Sequence, residues 1–160
     1  MSDLISDGKT RVAFARTIAN LTAPTVAECK AAADYTARIT PDGLKIDPST
    51  ADVDTGSLAS KVDTKTVGRV SYDTELTFKR GSTPLEDAPY TTLKYGVEGV
   101  LLVRRGIDYE VDWAAGQDVE TYPIICGERQ NVPPTPNEVM KFVSPIKVTD
   151  AAVTDAVVAA

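Results

Sequence analysis

The residue types that enzymes use most for acid–base and nucleophilic chemistry are scarce in this sequence. The 160 residues include no histidine, which excludes Ser-His-Asp and Cys-His mechanisms and imidazole metal sites. Two pairs of carboxylates lie at strand spacing, Asp52 with Asp54 and Asp73 with Glu75. Such pairs act as acid and base in glycosidases, but the solvated face of a strand carries the same pattern without catalysis. We therefore expect no enzymatic activity, no catalytic residue, no cofactor and no metal ion.

The charge balance and the motifs also argue against tight binding of nucleotides or nucleic acids. The chain has 17 Lys and Arg against 23 Asp and Glu, a net charge of −6, so it lacks the basic excess that holds phosphates. Glycine-rich phosphate loops and the G-x-S-x-G nucleophile elbow are absent from the sequence. The adjacent Arg104 and Arg105 have two interpretations. They contact phosphate or an acidic neighbouring subunit, or they end a buried strand with solvated charge.

The cysteines and the N-terminal residues indicate a chain made and kept in a reducing compartment. Cys29 and Cys126 are a single, widely separated pair without C-x-x-C spacing, so we expect two reduced and buried thiols. The N-terminal residues MSDLISDGKT contain no apolar run of the kind that a signal peptide needs. No stretch approaches the ~20 consecutive apolar residues that span a bilayer. We expect synthesis in the cytoplasm and no insertion into a membrane.

Apolar and polar residues alternate along several segments, which predicts a mainly β chain. The clearest such segment is RVSYDTELTFKR at residues 69–80, a strand with one buried and one solvated face. The polar positions of its predicted solvated face include Ser71, Asp73, Glu75 and Thr77. The apolar run at residues 100–103 is continuous instead, so we expect that strand to be buried on both faces.

Two capping boxes predict two short helices that fill an open face of the sheets. Thr25 with Glu28 begins a helix over residues 25–33. Thr83, followed by Pro84, begins a second helix over about residues 85–95, which ends before Gly96.

The segment at residues 41–67 differs from the rest of the chain in composition. It contains three clusters of turn-forming residues and few large apolar side chains, so it cannot build a core of its own. A loop of that length inside a compact domain is either functional or becomes ordered against something outside the chain.

The order and spacing of five segments carry a resemblance to a known family. These segments are RVAFARTIANLTAPTVAE at residues 11–28, YTARITPDGLKID at 35–47, the alternating strand at 69–80, GVEGVLLVRRG at 96–106 and DVETYPIICGE at 118–128. Together they resemble the major tail tube protein of long-tailed, non-contractile bacteriophages, in particular those of actinobacterial hosts. The resemblance implies one tail tube domain over residues 1–160, with two packed antiparallel β-sheets in a sandwich or barrel-like arrangement, one main flanking helix and a second short helix. Six copies would join into a ring around a channel, and rings would stack into a tube.

The resemblance also implies roles for two groups of residues. Polar side chains on solvated strand faces would line the channel and repel passing DNA, and the candidates are Ser71, Asp73, Glu75, Thr77, Asp118 and Glu120. The long loop at about 41–67 would contact the next ring, and its candidate residues are Asp52, Asp54, Leu58, Val62 and Asp63. Terminal arms at about 1–9 and 149–160 would either bridge rings or fray.

The resemblance implies that the protein is a virion component with partners in the tail. The chain would bind other copies of itself, the tape measure protein that the tube surrounds during assembly, and the tail terminator and distal tail proteins. Genomic DNA would pass through the tube without specific binding. Two alternatives stay open: a hexameric secretion-tube subunit with the same fold, and a monomeric β-sandwich that binds a carbohydrate or a protein.

Overall fold

β-strands dominate the computed structural model, which describes residues 2–160. The strands in that range are β1 (Thr10–Ala15), β2 (Ala33–Asp34), β3 (Ile39–Asp54), β4 (Lys65–Lys79), β5 (Glu98–Arg105), β6 (Asp118–Cys126), β7 (Gln130–Asn131), β8 (Lys141–Val148) and β9 (Val153–Val157). Two short helices, α1 (Val26–Ala31) and α2 (Ala88–Thr92), and a 3₁₀ turn at Thr36–Arg38 accompany them. The prediction of a mainly β chain with two helices is confirmed.

The strands form one antiparallel sheet that forks at β6. Its order is β2-β1-β5-β6-β8-β4-β3, with β7 paired to β8 and β9 paired to β6. One edge of β6 pairs with β5, and the other edge is shared, because residues 118–121 pair with β9 and residues 124–126 pair with β8. The sheet therefore has two halves, β1-β5-β6 and β8-β4-β3.

Both halves of the sheet contribute to the same core, so they form two packed layers. This first core cluster takes Val12 and Phe14 from β1 and Leu76 and Phe78 from β4. Aromatic contacts connect the layers: Tyr35 lies 6.5 Å from Phe14 and 5.9 Å from Phe78 between ring centroids. Such pairs stabilise a core beyond the area that they bury.

A second core cluster lies on the other face of β1 and β5. Leu101 and Val103 belong to the first cluster, whereas Val100 and Leu102 belong to the second. The prediction that residues 100–103 are buried on both faces is therefore confirmed.

Helix α1 covers the second cluster and begins at the predicted capping box. Thr25 Oγ1 accepts a hydrogen bond from the N–H of Glu28 at 3.2 Å, and Glu28 Oε2 accepts one from the N–H of Thr25 at 2.9 Å. The helix buries Cys29 in the second cluster, while Cys126 lies in the first. Burial raises the pKa of each thiol to about 11, and both cysteines are unpaired, as predicted.

Helix α2 is shorter than predicted, with five residues in place of about 85–95. Pro89 lies in its first turn, where it restricts the backbone. The side chain of Asp87 does not cap the helix but accepts hydrogen bonds from Arg80, at 2.9 Å from Nε and 2.8 Å from Nη2. This bidentate ion pair anchors the segment to the end of β4 instead of extending the helix.

The segment at residues 41–67 is a β-hairpin, so the prediction of an irregular loop is wrong. β3 and β4 pair from Ile39 opposite Phe78 out to Asp54 opposite Lys65, and only residues 55–64 connect them. The turn-forming residues near Gly43 lie where the register shifts within β3, not at a chain reversal. The outer part of this hairpin, residues 47–73, is named here the hairpin arm. The strand ladder holds the arm together outside the core, which explains its low apolar content.

The C-terminal segment at residues 149–160 is packed into the subunit itself, unlike the free arm that was expected. β9 pairs with β6, and Ala156 and Val158 are buried in the second cluster. Ala159 O accepts a hydrogen bond from the N–H of Val26 at 2.9 Å. At the other end of the chain, the side chains of residues 2–7 are exposed.

Core packing predicts that two alanine substitutions differ sharply in their effect on the free energy of unfolding. Phe78→Ala removes a fully buried ring and should lower the free energy of unfolding by about 3–5 kcal/mol. Leu58→Ala, at the exposed tip of the hairpin, should change it by less than about 0.5 kcal/mol. Urea denaturation of both variants measures these values, and equal effects would contradict the assignment of the core.

The Arg80–Asp87 pair predicts a pH-dependent contribution to stability. Hydrogen bonds from Arg80 hold the pKa of Asp87 below its usual range, so the stabilisation is present above the unfolded pKa of about 4 and is lost as the pH falls through the lower folded pKa. At pH 7, Asp87→Asn should cost about 2 kcal/mol. The difference between wild type and variant in urea unfolding should shrink below pH ~4, and a constant difference down to pH ~2.5 would argue against this pair.

Candidate assembly surfaces

The predicted solvated face of β4 is present and extends over two neighbouring strands. Leu76 and Phe78 point into the first core cluster, and the residues that alternate with them along β4 point away from it. On β3, Lys45 lies opposite Glu75 and Asp47 opposite Asp73. We name this surface the polar face, and its residues are Lys45, Asp47, Ser71, Asp73, Glu75, Thr77, Lys79, Lys141 and Lys147.

Charges of both signs are mixed on the polar face. Lys45 Nζ lies 2.8 Å from Asp73 Oδ2 and 4.0 Å from Asp47 Oδ2. The hydrogen bond and the charge of Lys45 lower the pKa of Asp73, and Lys147 lowers it further, while the same hydrogen bond raises the pKa of Lys45. Four lysines accompany three carboxylates, so the face is close to neutral, whereas repulsion of DNA would need a marked excess of carboxylates.

The other two channel candidates, Asp118 and Glu120, lie away from the polar face. Both are on β6 in the other half of the sheet, and Glu120 alternates with Tyr122 on the side of the first core cluster. Glu120 Oε2 accepts a hydrogen bond from Arg105 Nε at 2.8 Å. Burial, together with the charge of Glu120, raises the pKa of Tyr122 to about 12. The structure therefore brings four of the six candidates together and separates these two from them.

The candidate inter-ring residues all lie on the hairpin arm. Asp52 pairs with Lys65 at 3.2 Å, and Asp54 Oδ1 accepts a hydrogen bond from the N–H of Gly56 at 2.8 Å, so both carboxylates stabilise the hairpin itself. At the tip, Leu58 and Val62 are largely exposed, with relative accessibilities of 106% and 73%. Asp63 is also exposed there.

Comparison with known proteins decides the family. A family model described as phage tail tube protein matches residues 1–160. The chain belongs to the phage tail tube protein family. Its fold is similar to that of a chain in the cryo-EM structure of the anti-feeding prophage (AFP) baseplate, 6-fold symmetrised, with a TM-score of 0.53 and 13% identity over 96% of this chain and 97% of that chain. No curated protein matches the chain in sequence.

Membership of this family makes the tail tube protein a structural component of the virion. The family is not a class of enzymes. Neither helix within residues 2–160 has the length and apolar character needed to cross a bilayer. The resemblance inferred from the sequence is thus confirmed at the level of the family, and the actinobacterial host stays a prediction.

One buried arginine in this tail tube protein fits neither interpretation of the Arg104–Arg105 pair. Arg104 is fully buried, and it donates hydrogen bonds to the carbonyl oxygen of Asp108 at 2.9 Å and to Gln117 Oε1 at 3.2 Å. Its guanidinium lies 5.0 Å from the centre of the Trp113 ring, and burial lowers its pKa. The side chain thus holds the loop at residues 106–117 against the sheet. The sequence contains the signal, because Arg104 continues the alternation of Val100 and Leu102.

A cleft of about 390 Å³ lies between β1 and β3, near the two ends of the sheet. Thr10 and Val12 of β1 face Ile39 and Leu44 of β3 across it, and residues 6–8 form part of its wall. The sheet of the tail tube protein is therefore curled but unclosed, with β1 and β3 on either side of the opening.

Neutralising two of the three carboxylates of the polar face should create a phosphate-binding surface. In Asp73→Asn/Glu75→Gln, Lys45 and Lys147 lose nearby carboxylates, so affinity for a short DNA duplex at low salt should rise several-fold. The slope of log affinity against log salt should steepen by about one to two, because each new phosphate contact adds about 0.9. Fluorescence anisotropy on the dilute chain measures both quantities.

The control removes the same charge elsewhere. Asp3→Asn/Asp7→Asn on the exposed N-terminal segment changes the net charge equally and should leave the slope near that of the wild type. An equal change in both variants would show that net charge, and not the polar face, governs DNA binding.

Proposed function

We propose that the chain assembles into six-membered rings that stack into the tail tube of a long-tailed, non-contractile phage. The tube surrounds the tape measure protein during assembly and conducts DNA at ejection. The single observation that carries this proposal is the hairpin arm, which extends beyond the core of its own subunit. Family membership supports a tube, and the likeness to a chain from a 6-fold symmetrised baseplate supports rings of six.

The free edges of the sheet support lateral joining of subunits. Among the described residues, β3 is paired along one side only, with β4, over its 16 residues. At the other end of the sheet, the two-residue β2 covers β1 only at Ala13 and Phe14. Long unpaired edges recruit other strands, and closing a ring removes them. Neighbouring subunits joined through these edges would form a continuous sheet around a bore.

The polar face is the surface that we assign to the bore. Ser71, Asp73, Glu75 and Thr77 lie on it, outside both core clusters. Because lysines and carboxylates alternate there, DNA would meet neither a strongly attractive nor a strongly repulsive wall. With this face inward, Asp118 and Glu120 belong to a different surface of the subunit.

The hairpin arm is the element that we assign to contact between rings. The eight residues of β3 from Asp47 to Asp54 are exposed and span about 25 Å. An isolated two-stranded hairpin is only marginally stable in water, so an arm of this length gains stability from a neighbour. The exposed Leu58 and Val62 at the tip supply apolar contacts there. Head-to-tail contacts of this kind do not close on themselves and therefore build a filament.

The remaining partners follow from the place of such a tube in a tail. The tail terminator and distal tail proteins would bind the two ends of the stack. Electron microscopy of the purified chain separates this proposal from a monomeric β-sandwich that binds a ligand, since only the former gives rings or hollow filaments. A secretion-tube subunit would give the same images, and the genes beside its own would distinguish it.

A shortened hairpin tests the role of the arm. Replacing residues 50–70 by Asn-Gly joins Ser49 to Ser71, which are paired in the ladder, through a two-residue turn that suits a hairpin. We expect a folded subunit with a midpoint of urea unfolding close to that of the wild type, because the removed residues lie outside both core clusters. We also expect no tubes at concentrations where the unmodified chain polymerises.

A tip substitution serves as the control for this deletion. Ser57→Ala/Ser60→Ala removes two exposed tip hydroxyls, whose hydrogen bonds join them to each other and Ser60 Oγ to the N–H of Ser57, and should leave polymerisation intact. Tubes of normal length from the shortened chain would refute the role of the arm in stacking.

A further inference from the structure

We propose that the two ends of the subunit carry complementary surfaces, through which one copy of this chain binds the next. The head surface is formed by residues 3–7 and 108–112. The tail surface is formed by Val139 and Met140 and the basic side chains around them. Neither surface includes the hairpin arm. The inference rests on the proposed function and adds to it a second, separate contact between stacked rings.

The two surfaces lie at opposite ends of β6. The head surface includes the loop that connects β5 to the start of β6. At the other end, Cys126, the last residue of β6, lies opposite Ile146 of β8. The earlier residues of β8 therefore continue past β6, and Met140 comes directly before them. A contact between opposite ends of two copies is heterologous and repeats without closing, as a stack of rings requires.

Two arginines hold the loop of the head surface in place. Arg104 is fully buried and donates a hydrogen bond to Asp108 O at 2.9 Å. Arg11 Nη1 donates one to Val111 O at 3.0 Å. The guanidiniums of Arg11 and Arg104 lie 5.4 and 5.0 Å from the centre of the Trp113 ring. Burial of a charge is costly, and the hydrogen bonds of Arg104 go to uncharged oxygen atoms. The buried charge therefore fixes the backbone that carries the outer residues of the loop.

The head surface combines exposed apolar side chains with an excess of negative charge. Leu4 and Ile5 are 70% and 68% exposed, and Tyr109 and Val111 on the loop are also exposed. The N–H of Tyr109 donates a hydrogen bond to Gly8 O at 2.8 Å, which joins the N-terminal segment to the loop. The same two segments carry five carboxylates, with two lysines near them: Asp3, Asp7, Asp108, Glu110 and Asp112, with Lys9 and Lys30. Exposed apolar groups with polar groups around them mark an interaction surface.

The tail surface also exposes apolar side chains, but the cations around them outnumber the carboxylates. Val139 and Met140 are 57% and 65% exposed. The N–H of Arg80 donates a hydrogen bond to Met140 O at 2.8 Å, so the end of β4 lies beside them. The neighbouring cations are Arg38, Lys79, Arg80 and Lys141, and the neighbouring carboxylates are Glu86, Asp87 and Glu138. Lys79 and Lys141 also belong to the polar face, which reaches the tail surface at this end.

A second copy is the occupant that these observations favour. The head surface has more carboxylates than cations, the tail surface has more cations than carboxylates, and each presents exposed apolar side chains. Surfaces with opposite excess charge attract and align each other, and their apolar groups then lose contact with water. Family membership provides many copies of the chain in one tube. Binding of either surface to another tail protein is an outcome that the tests below detect.

Charge substitutions at the apolar positions test the contact from both sides. Val139→Asp/Met140→Asp places two acids opposite the acidic head surface, and Leu4→Lys/Ile5→Lys places two cations opposite the basic tail surface. Each variant should raise the critical concentration for tube formation by about tenfold or more. A chain with all four substitutions should return to within about threefold of the wild type, because opposite charges then face each other across the contact.

The control substitutes exposed apolar residues elsewhere on the subunit. Leu85→Asp/Tyr95→Asp adds two acids at exposed positions outside both surfaces and should change the critical concentration less than about twofold. All three double variants should unfold in urea close to the wild type, because none of the substituted positions is buried. Equal loss of polymerisation in the control and in Val139→Asp/Met140→Asp would overturn the contact.

The two proposals fail in different ways. An unmodified chain that never polymerises would overturn the proposed function and the head-to-tail contact with it. If the unmodified chain forms tubes, normal polymerisation of Val139→Asp/Met140→Asp would overturn only the head-to-tail contact. A lack of recovery in the chain with all four substitutions would also overturn it, since the two surfaces would then not face each other.

Chemical cross-linking gives an independent measurement on the assembled protein. Cys29 and Cys126 are buried, so a short bis-maleimide reacts selectively with introduced thiols. In tubes of Ile5→Cys/Met140→Cys we expect a ladder of covalently joined chains on a denaturing gel, whereas each single variant can give dimers at most. The absence of a ladder from these tubes, or products that contain another tail protein in place of a second copy, would overturn the second copy as the occupant.

Discussion

The architecture depends on how one edge of β6 is shared between two strands. Its first residues pair with β9 and its last residues with β8, so the sheet divides at this strand while its hydrogen bonding stays continuous. The division lets β4 and β8 turn back over β1 and β5 and fill one core from both sides. A flat sheet of the same strands would leave Phe78 and Phe142, now stacked at 5.2 Å, exposed on a single surface.

The same division explains why the two halves of the sheet differ in burial and in the polarity of their surfaces. The half that contains β1 and β5 is buried on both faces, because α1 and the C-terminal strand cover its second side. The half that contains β3 and β4 is covered on one side only and then continues past the core as the hairpin arm. Its uncovered side carries paired charges such as Lys45 and Asp73, and its far end carries unshielded valines. In a single subunit, one half of the sheet is thus covered on both faces and the other half on one face only.

Periodicity allowed the sequence to predict what depends on neighbours along the chain. The two faces of β4, the double burial of β5 and the capping box of α1 all follow from local spacing. The hairpin arm is not evident from the sequence, because a strand ladder outside a core needs few apolar residues and so has the composition of a loop. The length of α2 depends on a side-chain pair, Asp87 with Arg80, that no periodicity specifies. The burial of Arg104 follows the alternation of β5, but its hydrogen bonds to the loop around Asp108 do not. Such pairings become visible only when the chain is folded.

The course of the backbone through the hairpin has a mechanical consequence. The chain runs out along β3, turns at residues 55–64 and returns along β4, so every cross-section of the arm contains two covalent strands. If the arm is anchored in an adjoining ring, a pull along the tail axis is carried by peptide bonds in both strands at once. The inter-strand hydrogen bonds then bear little of this force, because both strands are pulled in the same direction. A bent or stretched tail would then yield first where the arm is seated, and the subunit would keep its fold.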